Sequence, residues 1–368
     1  MAIRLLQPRE ILIGGGVRHR LGDLLAALSA TRPLLVTDPA MLRLGPAQAL
    51  AETLGAAIFA DVVEDPTDTS VAALAAAVRL GRHDALVALG GGSAIDTAKA
   101  AAIVLATGEA LRALKVPRIV DLPVMPVIAV PTTAGTGSEV TRAAVVTDTA
   151  AQEKMLILGT AALPVAAVVD YELTLTCPFR VTVDTGIDAM THALEALVNR
   201  NANPHSDALA LSALRLIGGH LETAARAPLN HPAREAVMLG ATQAGIAVSN
   251  TSTALIHGLS RPIGAFFHVP HGMSNAMVLP LVTQFSLAAA LGLSGAADLV
   301  PAFAAMTRRL EVPTPAGFGI DRARYHALIP EMVRQGLASG TPANNPRIPT
   351  PEEMARLYEL AFDGTLAP

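Results

Sequence analysis

Hydrophobic and polar positions follow two different patterns along the chain. Up to about residue 175, short β-branched runs alternate with Ala/Leu-rich stretches of helical spacing. This alternation is typical of strand–helix–strand units and a largely parallel sheet. The Ala/Leu-rich stretches predict helices at 21–30, 41–54, 70–80 and 94–106. The β-branched runs predict strands at 11–13, 34–37, 57–63, 85–89, 126–130, 155–158 and 166–169.

The pattern changes after Pro178. Strand-like alternation almost disappears, and long Ala/Leu/Met segments predict helices at 182–198, 206–225, 233–249 and 254–259. A chain of 368 residues exceeds the usual size of a single hydrophobic core. We therefore predict a Rossmann-like α/β domain over residues 1–177, with a mostly parallel sheet, and an all-α domain over residues 178–368.

Composition narrows the possible partners. Hydrophobic residues make up 51% of the chain and charged residues 16%, which predicts extensive buried surface, including a subunit contact. The net charge of −4 and the scattered Lys and Arg residues argue against a nucleic-acid partner. The first residues lack the features of a secretory signal, and apolar runs are interrupted by charge, Gly or Pro. We expect a cytoplasmic protein without a membrane segment.

Four residues have the types and spacings of one metal site. Asp188 and His192 stand four residues apart in D-A-M-T-H, on one face of a predicted helix. His257 and His271 flank a Gly- and Pro-containing segment, which we expect to break and to fold the second imidazole toward the first. A single D-x-x-x-H pair is more often a solvated face or a core ion pair, so the prediction depends on the combination. One carboxylate and three imidazoles suit Fe2+ or Zn2+.

The segment D-A-L-V-A-L-G-G-G-S at 84–93 predicts a buried strand, a glycine turn and a helix that Ser93 caps. Gly91 and Gly92 allow backbone N–H groups to approach a pyrophosphate, and the helix N-terminus adds its positive dipole end. The G-x-G-x-x-G motif does not occur in the chain. The alternative interpretation is a tight turn that binds nothing.

A second polar loop, P-T-T-A-G-T-G-S-E at 131–139, follows another predicted strand and offers the hydroxyls of Thr132, Thr133 and Thr136. Open α/β sheets bind ligands at the carboxyl ends of their strands, so both loops are predicted to contact a nucleotide. Asp38 ends the predicted strand at 34–37. It is predicted either to accept the adenosine ribose hydroxyls, which favours NAD over NADP, or to act as a helix N-cap.

Together these segments resemble the iron-containing (group III) alcohol dehydrogenase family over essentially the whole chain. The residues that carry the resemblance are G-G-G-S-A-I-D-T-A-K at 90–99, P-T-T-A-G-T-G-S-E-V-T at 131–141, G-I-D-A-M-T-H-A-L-E at 186–195 and the segment 257–272. The resemblance implies a cleft between the two domains that holds nucleotide and metal, and a homodimer or larger homo-oligomer. The implied metal ligands are Asp188, His192, His257 and His271. The implied nucleotide contacts are Asp38, Gly91, Gly92, Ser93, Asp96, Thr132, Thr133, Thr136 and Lys154.

The implied reaction is hydride transfer between NAD(H) and a small alcohol, aldehyde or ketone, with the ion polarising the substrate oxygen. Within the same fold, the alternatives are a polyol dehydrogenase of the glycerol type and a sugar-phosphate cyclase. The cyclases need a strongly basic pocket, which the lysine-poor helical half does not favour. A non-enzymatic nucleotide-binding protein is disfavoured by the complete set of ligand types.

Two positions depart from the commoner family pattern. Many relatives have Asn before the proline at Pro66, where this chain has Asp65, which weakens the case for a nucleotide contact there. Many relatives have a second histidine at the position of Arg261, which stays protonated and cannot act as a base. Arg261 is predicted either to bind a substrate carboxylate, favouring a hydroxy acid or its semialdehyde, or to bond structurally to backbone carbonyls or Glu195. His268 either relays a proton or is a surface residue.

Overall fold

A six-stranded sheet forms the centre of the N-terminal half, in a computed structural model that describes residues 3–151, 153–290 and 296–366. Its strand order is β1-β8-β5-β4-β2-β3, and every neighbouring pair is parallel. Two further strands, β6 and β7, form a separate antiparallel pair. The strands are β1 Glu10–Ile13, β2 Pro33–Val36, β3 Ala57–Phe59, β4 Ala85–Gly90, β5 Val127–Pro131, β6 Ala143–Asp148, β7 Glu153–Leu158 and β8 Ala166–Val169.

Helices cover both faces of this sheet, so that every residue of the central strand β4 is buried. Leu86 and Ala88 point into a core shared with α4 and α5, whereas Val87 and Leu89 point into a core shared with α1 and α3. Alternate residues of one strand thus serve opposite layers, as expected for a parallel sheet buried on both sides. The helices of this half are α1 Leu21–Ala27, α2 Pro39–Leu44, α3 Pro46–Leu54, α4 Asp68–Gly81, α5 Gly92–Thr107 and α6 Leu111–Leu114.

The strand order places a topological switch between β2 and β4. The chain runs from β2 to the edge strand β3 and returns to β4 on the other side of β2. Connections that leave two neighbouring strands in opposite directions open a crevice at their carboxyl ends, where ligands of open α/β sheets bind. Asp38 follows β2 at this crevice, and Gly91 follows β4.

Three local predictions in this half are wrong. The predicted helix at 41–54 is two helices, because Gly45 between them adopts a left-handed conformation with φ 98°. The predicted strand at 57–63 ends at Phe59. Strand β6 was not predicted, and its partner β7 belongs to the antiparallel pair instead of the main sheet. The burial of β6 alternates along the strand, and the short apolar run A-A-V-V gave little periodicity to recognise.

Eight helices form the C-terminal half of the described chain, and they share one apolar core. The predicted combination of an α/β N-terminal domain and an all-α C-terminal domain is confirmed, whereas the boundary at 177/178 stays a prediction. No helix of the described residues is both long enough and apolar enough to cross a membrane. The helices are α7 Phe179–Val198, α8 Pro204–Arg226, α9 His231–Ser249, α10 Leu255–Phe267, α11 His271–Ala290, α12 Ala296–Arg309, α13 Arg322–Ala338 and α14 Pro351–Asp363.

The helix α10 continues through Pro262, so the expectation that Gly and Pro break the chain in the middle of this segment is wrong. Buried residues on both sides of the proline, Leu259 and Ile263, anchor the helix to the core. The turn comes later, at His268, whose φ of 56° ends α10. Because the break lies after a full helix, α11 begins at His271.

Candidate active site

Three imidazole rings, each from a different helix, converge on one carboxylate oxygen. Asp188 Oδ1 lies 3.7 Å from Nε2 of His192, of His257 and of His271. The ligand atoms of Asp188, His192 and His257 all lie within 4.8 Å of one another. His271 forms the open side of the cluster, since its side chain is 46% exposed and those of the other three are at most 9% exposed.

Helix spacing and one glycine explain this convergence. Asp188 and His192 are neighbours on one buried face of α7 because residues four apart share a helix face. The second element, α11, approaches α7 closely at Gly272, where an added Cβ would lie 2.1 Å from the carbonyl oxygen of Asp184. Only glycine fits this contact, and it brings His271 next to Asp188, one turn along α7 from Asp184.

The charges of the cluster are those of a cation site. Burial opposes ionisation of Asp188, but the neighbouring imidazoles and the amide of Asn275 outweigh it and lower the pKa of the carboxyl below its usual value. Burial holds the pKa of His257 well below its usual value and also lowers the pKa of His271. A carboxylate beside neutral imidazoles is the protonation state that divalent metals require.

Glu195 orients His257. Its Oε2 lies 2.6 Å from Nδ1 of His257, and its Oε1 accepts a 3.1 Å hydrogen bond from the backbone N–H of the same residue. Burial raises the pKa of Glu195 to about 7. A proton on Nδ1 leaves the Nε2 lone pair directed at Asp188, which is the carboxylate–histidine arrangement found behind many metal ligands. Sequence reasoning considered Glu195 only as a partner of Arg261.

Asn275 was missed by the sequence analysis. Its Nδ2 donates a 2.7 Å hydrogen bond to Asp188 Oδ1 and lies 3.3 Å from His257 Nε2 and 3.4 Å from His271 Nε2. Ser260 donates a short hydrogen bond to Asn275 Oδ1, which fixes the orientation of the amide. The available signal was its position, four residues after His271 and so on the same helix face.

The four donors fit a divalent cation of the size of Fe2+ or Zn2+. Tetrahedral coordination with metal–ligand distances near 2.1 Å puts donor atoms about 3.4 Å apart, close to the 3.7 Å found here. Nδ1 of His192 is buried without a hydrogen-bond partner among the described residues, so that only Nε2 of this ring faces a polar group. The donor set therefore suits one ion at the centre of the cluster.

Arg261 lies one helical turn after His257 on α10. Among the described residues its side chain forms one hydrogen bond, 3.5 Å from Nη2 to Thr253 Oγ1. Within the described ranges, no carboxylate oxygen lies within 4.0 Å of its guanidinium, so the predicted structural pairing with Glu195 is wrong. Its charge helps to lower the pKa of His257 after the larger effects of burial and neighbouring imidazoles. His268 is exposed in the turn after α10, in agreement with its interpretation as a surface residue.

Asp38 and Gly90 face each other at the switch-point crevice. Asp38 Oδ1 accepts hydrogen bonds of 2.8 and 3.0 Å from the N–H groups of Ala40 and Met41, which confirms its interpretation as an N-cap. Asp38 Oδ2 is not used by the cap and lies 3.3 Å from the place where a Cβ on Gly90 would stand. Binding of a ribose by this oxygen stays a prediction.

The start of α5 has no side-chain cap. The helix begins at Gly92, and Gly91 is the N-cap residue with an extended backbone, so the prediction that Ser93 caps the helix is wrong. Ser93 lies inside the first turn, where its carbonyl accepts a hydrogen bond from Thr97 Oγ1. The first N–H groups of α5 are thus left without a side-chain acceptor, which suits binding of an anion.

The second polar loop lies opposite this helix start. A Cβ on Gly91 would stand 3.5 Å from Thr133 Oγ1, and one on Gly92 would stand 3.1 Å from Thr136 Oγ1. Thr132 is buried, and its carbonyl oxygen accepts from the Cys177 thiol. The two loops therefore form facing walls of one crevice.

Asp96 and Lys154, both predicted to contact the nucleotide, form contacts with other residues of the protein. The oxygens of Asp96 accept hydrogen bonds of 2.5 Å from Ser138 Oγ and 2.9 Å from the backbone N–H of Val145. Lys154 is exposed on β7 and forms a 2.8 Å ion pair with Asp65. Asp96 thus fastens the second loop to β6, and the assignment of Asp96 and Lys154 to the nucleotide stays a prediction.

Two family models match the chain, one for each half. The model of the iron-containing alcohol dehydrogenases matches residues 8–171, and the model of the C-terminal domain of the same family matches residues 182–362. The chain therefore belongs to the iron-containing alcohol dehydrogenase family.

Individual relatives are similar to this chain over nearly its whole length. The NAD-dependent methanol dehydrogenase of Bacillus methanolicus is 33% identical, covering 96% of this chain and 98% of that protein. A solved 1,3-propanediol oxidoreductase superposes with a TM-score of 0.92 at 30% identity, covering 98% of this chain and 100% of that one. Sulfoacetaldehyde reductase of Bifidobacterium kashiwanohense, solved with NAD+, has a TM-score of 0.88 at 27% identity, covering 98% of this chain and 99% of that one. The chain is an oxidoreductase that acts on alcohols and aldehydes.

Proposed function

We propose that the chain catalyses metal-dependent hydride transfer between NAD(H) and a primary or secondary alcohol or the corresponding aldehyde or ketone. In this proposal Asp188, His192, His257 and His271 hold the ion. The observation that carries it is the equal distance of 3.7 Å from Asp188 Oδ1 to the three imidazole nitrogens. Four donors that converge from three helices are difficult to explain as a solvated surface or an ordinary core ion pair.

A bound divalent cation would supply Lewis-acid polarisation of the substrate oxygen. The residues of the chain prepare the site for this role. Glu195 holds the Nδ1 side of His257, so that Nε2 points inward, and Asn275 holds Oδ1 of Asp188 in place. The exposed side of His271 leaves an approach for the substrate. Orientation by surrounding hydrogen bonds keeps ligand geometry fixed before the ion or the substrate arrives.

We propose Fe2+ as the ion and Zn2+ as the alternative. The N/O donor set accepts both metals, and geometry does not distinguish them. The iron-containing family to which the chain belongs supports iron.

NAD is the proposed nucleotide, bound in the crevice between β2 and β4. The uncapped start of α5 at Gly91 and Gly92 would bind the pyrophosphate, and Asp38 Oδ2 would accept the ribose hydroxyls. A carboxylate there repels a 2′-phosphate, which disfavours NADP. The NAD-dependent methanol dehydrogenase and the NAD+ complex of sulfoacetaldehyde reductase support this choice. The other proposed contacts are Ser93, Asp96, Thr132, Thr133, Thr136 and Lys154.

The proposal also covers the domain boundaries and the assembly of subunits. We propose that the nucleotide-binding domain covers residues 1–177 and the metal-binding domain residues 178–368, and that the protein is a homodimer or larger homo-oligomer. The high apolar content of 51% supports a buried subunit contact.

A substrate panel tests the function. Short alcohols, diols, hydroxy acids and their aldehydes are assayed with NAD(H) and NADP(H), after separate reconstitution with Fe2+ and Zn2+. We expect turnover with NAD(H) that is lost on chelation and in His271→Ala. It should not be lost in the control His220→Ala, a histidine of α8 whose side chain bonds to the carbonyl of Leu216. Full turnover in chelated protein contradicts the proposed metal dependence.

A further inference from the structure

The guanidinium of Arg261 makes little use of its hydrogen-bonding capacity. Arginine offers five N–H groups, and within the described ranges one hydrogen bond is formed, from Nη2 to Thr253 Oγ1 at the long distance of 3.5 Å. In the part of the chain that the structure describes, no carboxylate pairs with it within 4.0 Å. The side chain is nevertheless shielded from solvent over most of its surface.

A second shielded arginine shows what a structural role looks like in this protein. Arg234 is 3% exposed and donates to three acceptors: the carbonyl of Pro228, the hydroxyl of Thr182 and the carbonyl of Cys177. Leaving buried charged donors unpaired costs free energy, and Arg234 avoids this cost through its backbone and hydroxyl partners. Arg261, which is partly shielded, has no comparable set of partners among the described residues, so most of its donors are available to a ligand.

The position of Arg261 indicates where that partner lies. It stands four residues after His257 on α10, and therefore on the same helix face. With a divalent cation present, the ion and Arg261 together carry more positive charge than the carboxylates of Asp188 and Glu195 can balance. The site therefore favours a substrate with negative charge.

We propose that Arg261 binds an anionic group of the substrate, so that the preferred substrate is a hydroxy acid or the corresponding oxo acid, with a carboxylate or a sulfonate as the anion. The inference rests on the proposed function, because it assigns the substrate class of the same site. A guanidinium fork matches the geometry of two anionic oxygens, which an ammonium group does not. Arg261 is then a specificity-determining residue, and the hydride transfer itself does not require it.

Matched substrates test this assignment. The metal-loaded enzyme is assayed with NAD and 1,4-butanediol, 4-hydroxybutanoate or 3-hydroxypropane-1-sulfonate, which differ mainly in the terminal group. We expect the wild type to prefer at least one anionic substrate over the diol. Arg261→Met should lower kcat/KM for that substrate about 10- to 100-fold, mainly through KM, because a charge-assisted hydrogen bond is lost. Turnover of the diol should change little.

Two control variants separate charge, geometry and general damage. Arg261→Lys keeps the charge without the fork and should retain part of the preference for the anion. Arg324→Met removes an exposed arginine that bonds to the carbonyl of Phe266 at the end of the same helix, and it should leave the preference unchanged. Equal losses on the diol and the anions in Arg261→Met overturn the inference, as does a wild type without preference for either anion.

A binding experiment adds a measurement that does not depend on turnover. Succinate, which cannot be oxidised at a carbinol, is titrated calorimetrically into the wild type and into Arg261→Met. Binding that weakens about 10-fold or more in the variant supports the inference, and equal affinity overturns it. Failure of the proposed function looks different, because the wild type would then turn over neither diol nor anion, whatever its affinity for succinate.

Discussion

The side-chain amide of Asn275 donates a 2.7 Å hydrogen bond to Asp188 Oδ1, the oxygen on which three imidazoles converge. The amide is itself held by the hydroxyl of Ser260. Asn275 therefore acts as a positioning residue, which fixes the carboxylate through a chain of buried hydrogen bonds.

Replacement of Asn275 by Leu should weaken metal binding about 10- to 100-fold, the usual effect of losing a partner behind a ligand. The measurement is competition with a chelator for Fe2+ or Zn2+, together with the metal content of the purified protein. Thr283→Val is the matched control, since this buried hydroxyl of α11 donates to the carbonyl of Leu279 in its own helix. Wild-type metal affinity in Asn275→Leu would refute the positioning role.

Replacement of Gly272 by Ala should destabilise the protein and weaken metal binding together. The added Cβ would stand 2.1 Å from the carbonyl oxygen of Asp184, so α11 and His271 must move away from α7. We expect a loss of about 1–3 kcal/mol in the free energy of unfolding, as for overpacking in a core. The measurements are urea unfolding and metal content.

Gly219→Ala is the control for this substitution, because Gly219 lies in α8 and an added Cβ there meets nothing within 4 Å. It should stabilise the protein by about 0.5–1 kcal/mol, since alanine favours a helix interior over glycine. A Gly272→Ala protein as stable and as rich in metal as the wild type would show that the contact is not tight.

Replacement of Asp38 by Asn should reduce the preference for NAD over NADP. Asparagine can still accept from the N–H groups of Ala40 and Met41, so the cap of α2 is kept while the negative charge is removed. We expect kcat/KM with NADP to rise relative to that with NAD by about tenfold, because the repulsion of the 2′-phosphate is relieved. An unchanged ratio in a stable variant would exclude Asp38 from the ribose site.

Lys99 predicts a pH dependence of stability. It is 1% exposed, it donates to Ser138, Thr141 and Ala143, and burial lowers its pKa from 10.5 to about 8. Between pH 8 and 10.5 the unfolded chain therefore binds more protons than the folded one, so the free energy of unfolding rises with pH. The contribution is at most about 3 kcal/mol.

Lys99→Met lacks this titrating group. The difference in unfolding free energy between wild type and variant, measured by urea unfolding from pH 7.5 to about 10.5, should change in favour of the wild type as pH rises. A constant difference across this range would mean that Lys99 titrates alike in both states.

The residue types of the candidate metal site could be predicted from the sequence, whereas the hydrogen-bond partners that hold these residues in place could not. The i,i+4 spacing placed Asp188 and His192 on one face, and the residue types indicated a divalent cation. Asn275 and Glu195 form hydrogen bonds to Asp188 and His257, respectively, which lie far from them along the chain, so that spacing within one element does not reveal these pairs. Ser93 was taken as a cap from its residue type, although the helix begins one residue earlier at Gly92.

Local periodicity likewise determined most helices and buried strands, because the spacing of apolar residues reflects the face that each element buries. It failed where a single backbone conformation decided the outcome, as at Gly45 and at His268.

The amino-acid sequence by itself determined the class of fold, most of the strands and helices, and the four side chains proposed to bind the metal, because these depend on residue type and on spacing within one element. Only the tertiary structure decided that α11 approaches α7 at Gly272, that Asn275 and Glu195 hold the ligands, and that Arg261 lacks a carboxylate partner within 4.0 Å among the described residues. These relationships join residues far apart along the chain. Their distances are set by how whole helices pack, which no local pattern encodes.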